Sequence, residues 1–291
     1  MLEVKDVVIG KFSLFVHYLP YRKSDRMQEI RRYTEYLNMD IETPTLNYLQ
    51  RLIQQHLVRI PYETFSKFYY YSYGEKRVPS LSTFVDNLYD KGWGGTCFTL
   101  NINFGRLLKS LGFDCQFVRV QPGHLGLMIT LDDHRYYVDV GYGSPIMKPV
   151  ELEARKRHLL HGFGEEIIFT QKDRFLFEIN RRSNGKTFVT KEIEWRPLEE
   201  EDLIADIDSS YLDTDENVTM RRITAVRFQG NQCYFLRNET LKVMTYRNIR
   251  EYQMRDIQRW KDIVQEVYQF QNASLDDTLH FLKQRNVTLF N

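Results

Sequence analysis

GWGGTCFTLNINFGRLLKSLGFDCQFVRV, residues 92–120, changes its period halfway along. Its first part spaces Leu100, Phe104, Leu107, Leu108 and Leu111 three or four residues apart. That is the stripe of a helix running from about Phe98, and Gly112 closes it. Its last part, CQFVRV, is β-branched and aromatic, the composition of a strand. The chain before this stretch is dominated by helical spacing, and the chain after it mostly alternates. Helices, then strands, then a mixed end predict an α+β protein rather than alternating βαβ units.

Upstream, helical spacing dominates from Met27 to Phe68. LNYLQRLIQQHLVRI (46–60) places Leu46, Leu49, Leu52, Ile53, Leu57 and Ile60 on one face, and Pro61 ends the helix. SKFYYYSYGEKRVPS (66–80) reads as a turn around Gly74 and Pro79. A helix over STFVDNLYDKG (82–92) comes next, capped by Ser80 or Ser82 and closed by Gly92. Downstream, HLGLMITL (124–131) and RYYVDVG (135–141) are strands set off by the turns QPG and DDH. IIFTQ, RFLFEIN and KTFVTKEIEW continue the pattern, with Asn184-Gly185 as a hairpin signal. The acidic run at 198–210 carries a short helix at a boundary. RITAVRF, QCYFLRN and KVMTYR read as three more strands. REYQMRDIQRWKDIVQEVYQF (250–270) reads as one charged helix, and LDDTLHFLKQRN adds a last turn or two.

The 291 residues suffice for one large domain or several small ones. A formal net charge of +1 implies no general attraction to nucleic acid or to an anionic membrane. No run of about 18 apolar residues exists, so no membrane span is expected. With 19 Tyr and 19 Phe the chain can line a pocket as well as fill a core. Cys97, Cys115 and Cys233 are widely spaced, which argues against a disulfide scaffold or a zinc site and fits a reducing, cytoplasmic setting.

Cys97 stands at the start of its helix, where unpaired N–H groups and the helix dipole favour a thiolate. Gly94 and Gly95 let the backbone turn tightly before it and leave the sulfur open, as a nucleophile requires. Cys115 and Cys233 lie in strand patterns and read as core residues. A thiolate nucleophile needs a base. His124 opens a strand whose Leu125, Leu127, Ile129 and Leu131 share the core face, so His124 points the other way. If Asp132-Asp133 is a two-residue turn, paired positions sum to 265. His124 then faces Gly141, Asp139 faces Gly126, and the histidine and aspartate share a face one diagonal apart. An aspartate within Tyr-Tyr-Val-Asp-Val is out of place in a strand and needs a partner.

These segments together resemble the arylamine N-acetyltransferase family, whose fold is grouped with the papain-like and transglutaminase-like cysteine enzymes. RIPYETF resembles its Ile-Pro-Phe-Glu-Asn stretch. GWGGTCFTLN, with Asn101, resembles its Arg-Gly-Gly-x-Cys segment, and YYVDVGYGSP its Val-Asp-Val-Gly-Phe-Gly segment. The resemblance spans roughly residues 30 to 275. It implies an N-terminal helical domain carrying the cysteine (27–112, after an extension at 1–26), an antiparallel β-barrel-like middle domain (113–200) and a C-terminal α/β lid (201–291). It implies Cys97 as nucleophile, His124 as base and Asp139 as its orienter. Gly141, Tyr142, Gly143 and Ser144, with Trp93 and Phe98, would contact substrate, the 141–144 turn offering backbone N–H groups to the donor's pyrophosphate or acyl oxygen. Acetyl-coenzyme A would be a cosubstrate, with no bound cofactor and no metal. An arylamine or arylhydrazine would be the acceptor in a xenobiotic type of metabolism. Three features depart from the family pattern. Trp93 replaces the usual arginine, Thr64 and Thr99 replace polar residues, and only 27 residues separate Cys97 from His124. They leave open a thioester or amide hydrolase with the same triad, or a catalytically weak binding homologue.

Overall fold

The computed structural model describes residues 23–290. Most of the segment read as an N-terminal extension, residues 1–22, lies outside the described residues. The chain opens with α1 (Lys23–Tyr36), α2 (Leu46–Arg59), a two-residue strand β1 (Tyr62–Glu63), α3 (Phe65–Ser72), α4 (Leu81–Lys91) and α5 (Cys97–Ser110). Strands β2 (Asp114–Gln121), β3 (His124–Leu131), β4 (His134–Val138), β5 (Arg157–Gly162), β6 (Glu165–Gln171), β7 (Leu176–Ser183) and β8 (Lys186–Leu198) come next. After α6 (Ile204–Ser210) come β9 (Thr224–Gln229), β10 (Gln232–Arg237), β11 (Thr240–Met244) and β12 (Ile249–Gln253). Helices α7 (Ile257–Tyr268) and α8 (Asn272–Lys283) close the fold.

Local signals placed several boundaries. Thr45 caps α2 through its side chain, and Pro61 stands just past the end of that helix. Ser80 caps α4 by accepting from the Thr83 N–H, and Gly92 ends it at φ +69°. Three readings are corrected. SKFYYYS is helical, as most of α3, because Phe65, Phe68 and Tyr70 are buried and Phe68 stacks on Phe281 of α8 at 4.5 Å. The segment read as one helix from Arg250 begins as β12, paired residue for residue with β11. RHLLHG, not read as a strand, forms β5 against β6.

A seven-stranded antiparallel sheet runs β4-β3-β2-β8-β7-β6-β5. Val118, Met128, Tyr137, Phe169, Phe177 and Trp195, from six of its strands, meet in one buried cluster. Side chains that far apart along a flat sheet would not touch, so the sheet is curled around them. The other face of β2 and β3 packs on α5. Leu125, Leu127 and Ile129 share a second cluster with Leu52, Leu100 and Phe104. The expectation that one face of β3 looks away from the core is therefore corrected, since both are buried. Helix α5 is likewise buried nearly all round rather than along one stripe. A five-stranded sheet, β1-β9-β10-β11-β12, packs one face toward this helical core and the other against α3, α7 and α8. No helix among the described residues is long and apolar enough to cross a membrane.

Candidate active site

Cys97 is the first residue of α5 and is partly exposed. Thr96, its N-cap, makes no side-chain capping bond, so the N–H groups of the first turn are not taken up by the cap. The chain reaches this point through Gly95 at φ +121°. The Gly95 carbonyl accepts from the Glu63 N–H at 2.9 Å, which ties the cysteine turn to β1.

Asp132 and Asp133 both have positive φ, 48° and 65°, the signature of a two-residue type I′ turn. The β3–β4 pairs Leu127 with Val138 and Leu131 with His134 each sum to 265. In that register His124 Nε2 lies 2.6 Å from Asp139 Oδ2, with both side chains buried. The other ring nitrogen, Nδ1, is not engaged by Asp139, and the ring is the strongest influence lowering the Cys97 thiol. The sulfur also approaches the Gly123 carbonyl at 3.9 Å.

Asp139 accepts four hydrogen bonds. Oδ2 takes His124 and the Tyr137 hydroxyl (2.8 Å); Oδ1 takes Asn101 Nδ2 (2.9 Å) and the Gly141 N–H (2.9 Å). Asn101, one turn beyond Cys97 on the same helix, also donates to the Leu125 carbonyl and accepts from the Val140 N–H. It thereby clamps α5, β3 and the 139–141 segment together. The glycines expected to make room for His124 and Asp139 serve other neighbours. A Cβ on Gly141 would stand 2.8 Å from Cys97 Cα and 2.7 Å from Asn101 Nδ2. A Cβ on Gly126 would meet the Tyr137 ring at 2.4 Å.

Electrostatics stem from this packing. Burial alone would push the Cys97 thiol up. His124, with more distant help from Lys67 and Lys191, outweighs it and holds the thiol below its ordinary value. Burial alone would push the His124 ring down, yet the Asp139 carboxylate and the Cys97 sulfur raise it to about 9. Both shifts favour the thiolate–imidazolium form of the pair. Cys115 shows the contrast: buried without such partners, its thiol is pushed up to about 12.

The other residues expected at the site divide. Tyr142 lies with its ring 4.7 Å from the His124 ring. The Tyr142 and Gly143 carbonyls both accept from Arg181, which is fixed in turn by a two-pronged ion pair with Glu165. The Gly141 N–H is committed to Asp139, so it is not free for a substrate oxygen, and that expectation is corrected. Ser144 is buried, with no hydrogen-bond partner for its hydroxyl among the described residues. Phe98 belongs to the helical core. Trp93 packs with Tyr69 and Tyr70 under the Lys91 ammonium in the core beside α8, so both are packing residues here. Sequence reasoning missed Tyr137, although its alternation with Asp139 placed both on one face. It also missed Lys67, buried on α3 with its ammonium on Thr219 Oγ1 at 3.0 Å, and Lys191 on β8, which bonds the Pro122 carbonyl.

Residues 45–274 match the N-acetyltransferase family. The chain is 26% identical over 232 residues to proansamycin X synthase of Amycolatopsis mediterranei (strain S699), covering 73% of this chain and 83% of that one. The structure of the arylamine N-acetyltransferase from Mycobacterium abscessus superposes with a TM-score of 0.75 at 17% identity, over 92% of this chain and 99% of that one. The Mycobacterium marinum arylamine N-acetyltransferase in complex with CoA superposes with a TM-score of 0.74 at 17% identity, over 89% and 100%.

Proposed function

The chain belongs to the arylamine N-acetyltransferase family, and from that premise we propose that it transfers an acetyl group from acetyl-coenzyme A to an arylamine or arylhydrazine through a thioester on Cys97. The observation that carries this reading is the placement of Cys97 at the start of α5 beside His124, whose Nε2 lies 2.6 Å from a fully bonded Asp139, surroundings that lower the thiol and raise the imidazole.

The thiolate attacks the acetyl carbonyl. The C–S bond to the coenzyme breaks, and its sulfur leaves with the proton that His124 Nδ1 carried. The acetyl group now sits on Cys97, and His124 is neutral. An amine nitrogen attacks the thioester, His124 takes its proton, and the Cys97 thiolate leaves, restoring the starting pair. Transfer between two thiols is nearly balanced, and a thioester is activated enough for a weakly nucleophilic aromatic amine. Asp139 holds the imidazole in the tautomer with hydrogen on Nε2, so Nδ1 is always the atom that exchanges protons. The Tyr142 ring beside His124 offers an aromatic wall to a planar acceptor.

The test is an intact mass after incubation with acetyl-coenzyme A and no acceptor. A gain of one acetyl group is expected in the parent and not in Cys97→Ala, and an added arylamine should discharge it. Release of coenzyme A with no mass gain would replace transfer by hydrolysis.

A further inference from the structure

One face of the five-stranded sheet leads away from the thiol to two cations that have no ion-pair partner among the described residues. Tyr62 pairs with Val226, and Val226 with Phe235. A Cβ on Gly143 would stand 3.4 Å from Val226 Cγ2 and 3.7 Å from Tyr62 Cγ, so this row meets the 141–144 loop beside the site. The next row of the same face is Thr224 opposite Arg237. One step further is Arg222, whose Nε reaches back to Thr224 Oγ1 at 3.4 Å. Thr224 thus links the two positions, paired with Arg237 across the strands and bonded by the Arg222 side chain.

Arg222 is half-buried and Arg237 exposed. Burial and the like charge of Arg237 both disfavour the Arg222 cation, with Tyr62 the group that favours it. Among the described residues neither arginine forms an ion pair, whereas Arg181, Arg221 and Arg285 nearby in the fold all do. Two adjacent guanidiniums without a carboxylate, one partly out of water, are costly unless an anion completes them. Their planar forks suit phosphate oxygens.

We propose that Arg222 and Arg237 take the phosphate groups of a coenzyme A thioester, laying its pantetheine arm past the partly exposed Tyr62 and Phe235 so that the thioester end reaches Cys97. This rests on the acyl-transfer reading above. Four residues of strand, roughly 13 Å, separate Arg222 from Val226. That span suits a long donor with its charge at the far end, and a single aromatic ring held at Cys97 does not cover it.

The test compares coenzyme A with pantetheine, which lacks the phosphates, by calorimetric titration at two salt concentrations. Acetylation of Cys97 by acetyl-coenzyme A and by S-acetylpantetheine is followed in parallel by mass. Arg222→Gln should weaken coenzyme A binding by about tenfold or more and flatten its salt dependence. The ratio of the two acetylation rates should fall by a similar factor. Arg222→Lys should recover part of the loss, and thermal melting reports on folding. Unchanged coenzyme A affinity in the Arg222→Gln/Arg237→Gln double variant, or an equal loss with both donors, would overturn the proposal. If the parent accepts acetyl from S-acetylpantetheine yet binds coenzyme A no better than pantetheine, the anion site is wrong and acyl transfer stands. If neither donor acetylates the parent, both fall.

Discussion

Replacing Asp139 by asparagine separates the site's scaffold from its chemistry. The aspartate accepts four hydrogen bonds, while an asparagine has one accepting oxygen and one donating amide. Asn101 Nδ2 and the Gly141 N–H can only donate, so the new oxygen must stay on their side. The new NH2 then faces His124 Nε2 and the Tyr137 hydroxyl. Both can reverse, the tyrosine by rotating its O–H and the histidine by moving its hydrogen to Nδ1. Every polar group keeps a partner and the fold survives. The loss is the excess of charge-assisted over neutral hydrogen bonds, about 1–2 kcal/mol.

The chemistry does not survive, because Nδ1–H now faces Cys97 and cannot take the thiol proton. The intact site lifts His124 from 6.5 to about 9, a preference for imidazolium of roughly 3 kcal/mol. Without it, the thiol is left with the burial that pushes it up. Even at a free-cysteine pKa of about 8.5, only about 3% is thiolate at pH 7. Alkylation by iodoacetamide at pH 7 should therefore slow by about 30-fold or more. The assay is the alkylation rate by intact mass from pH 5.5 to 9.5. The parent should show a plateau through neutral pH, and Asp139→Asn a rate rising about tenfold per pH unit until the thiol titrates. An Asp139→Asn rate within threefold of the parent at pH 7 would refute the tautomer argument.

Glu63 is fully buried, and burial raises its carboxyl from 4.5 to about 7 against the opposing hydrogen bonds from Ser66. An acid that holds its proton more tightly when folded makes stability fall as pH rises from 4.5 to 7, with no further change beyond. Glu63→Gln keeps the Ser66 contacts, so it should match the parent near pH 4.5 and exceed it by roughly 2–3 kcal/mol at pH 8.5; equal urea midpoints at pH 8.5 would contradict this. Gly141→Ala sets a methyl group within 3 Å of Cys97 and Asn101, and should cost about 1–3 kcal/mol and slow thiol alkylation sharply. Parental melting and alkylation together would show that the 139–141 segment yields.

The reach of the sequence depended on whether the deciding interaction was local. The Asp132-Asp133 turn is local, and it set the β3–β4 register that brings His124 to Asp139. The α4 caps are local in the same way. Helix α3 is not. Its aromatic run, bounded by Gly74 and Pro79, has turn punctuation, and its helical form depends on Phe68 meeting Phe281, more than two hundred residues later. Strand β12 is similar. IREYQ reads as a helix start, but Lys242 of β11 pairs with Glu251 across the sheet, and that neighbour is invisible from within the segment. Trp93 was expected at the substrate only through the family resemblance, in which it takes the place of an arginine. Its side chain answers instead to Tyr69, Tyr70 and Lys91.

Asp139 shows why a site can be located before its geometry is known. A carboxylate inside an apolar strand must be bonded, so its presence announces partners without naming them. Histidine was the partner that chemistry suggested. Asn101 and Tyr137 contribute as much to holding the carboxylate, yet neither has a residue type that signals catalysis. Tyr137 is a buried aromatic of the curled sheet whose hydroxyl ends on Oδ2. Asn101 is a buried amide that uses all three of its bonds to join three segments. Both are defined by supply at a point in space rather than by pattern along the chain. The meeting of His124 with Asp139 was therefore legible from sequence, and the residues that fix the pair become so only when the fold is closed.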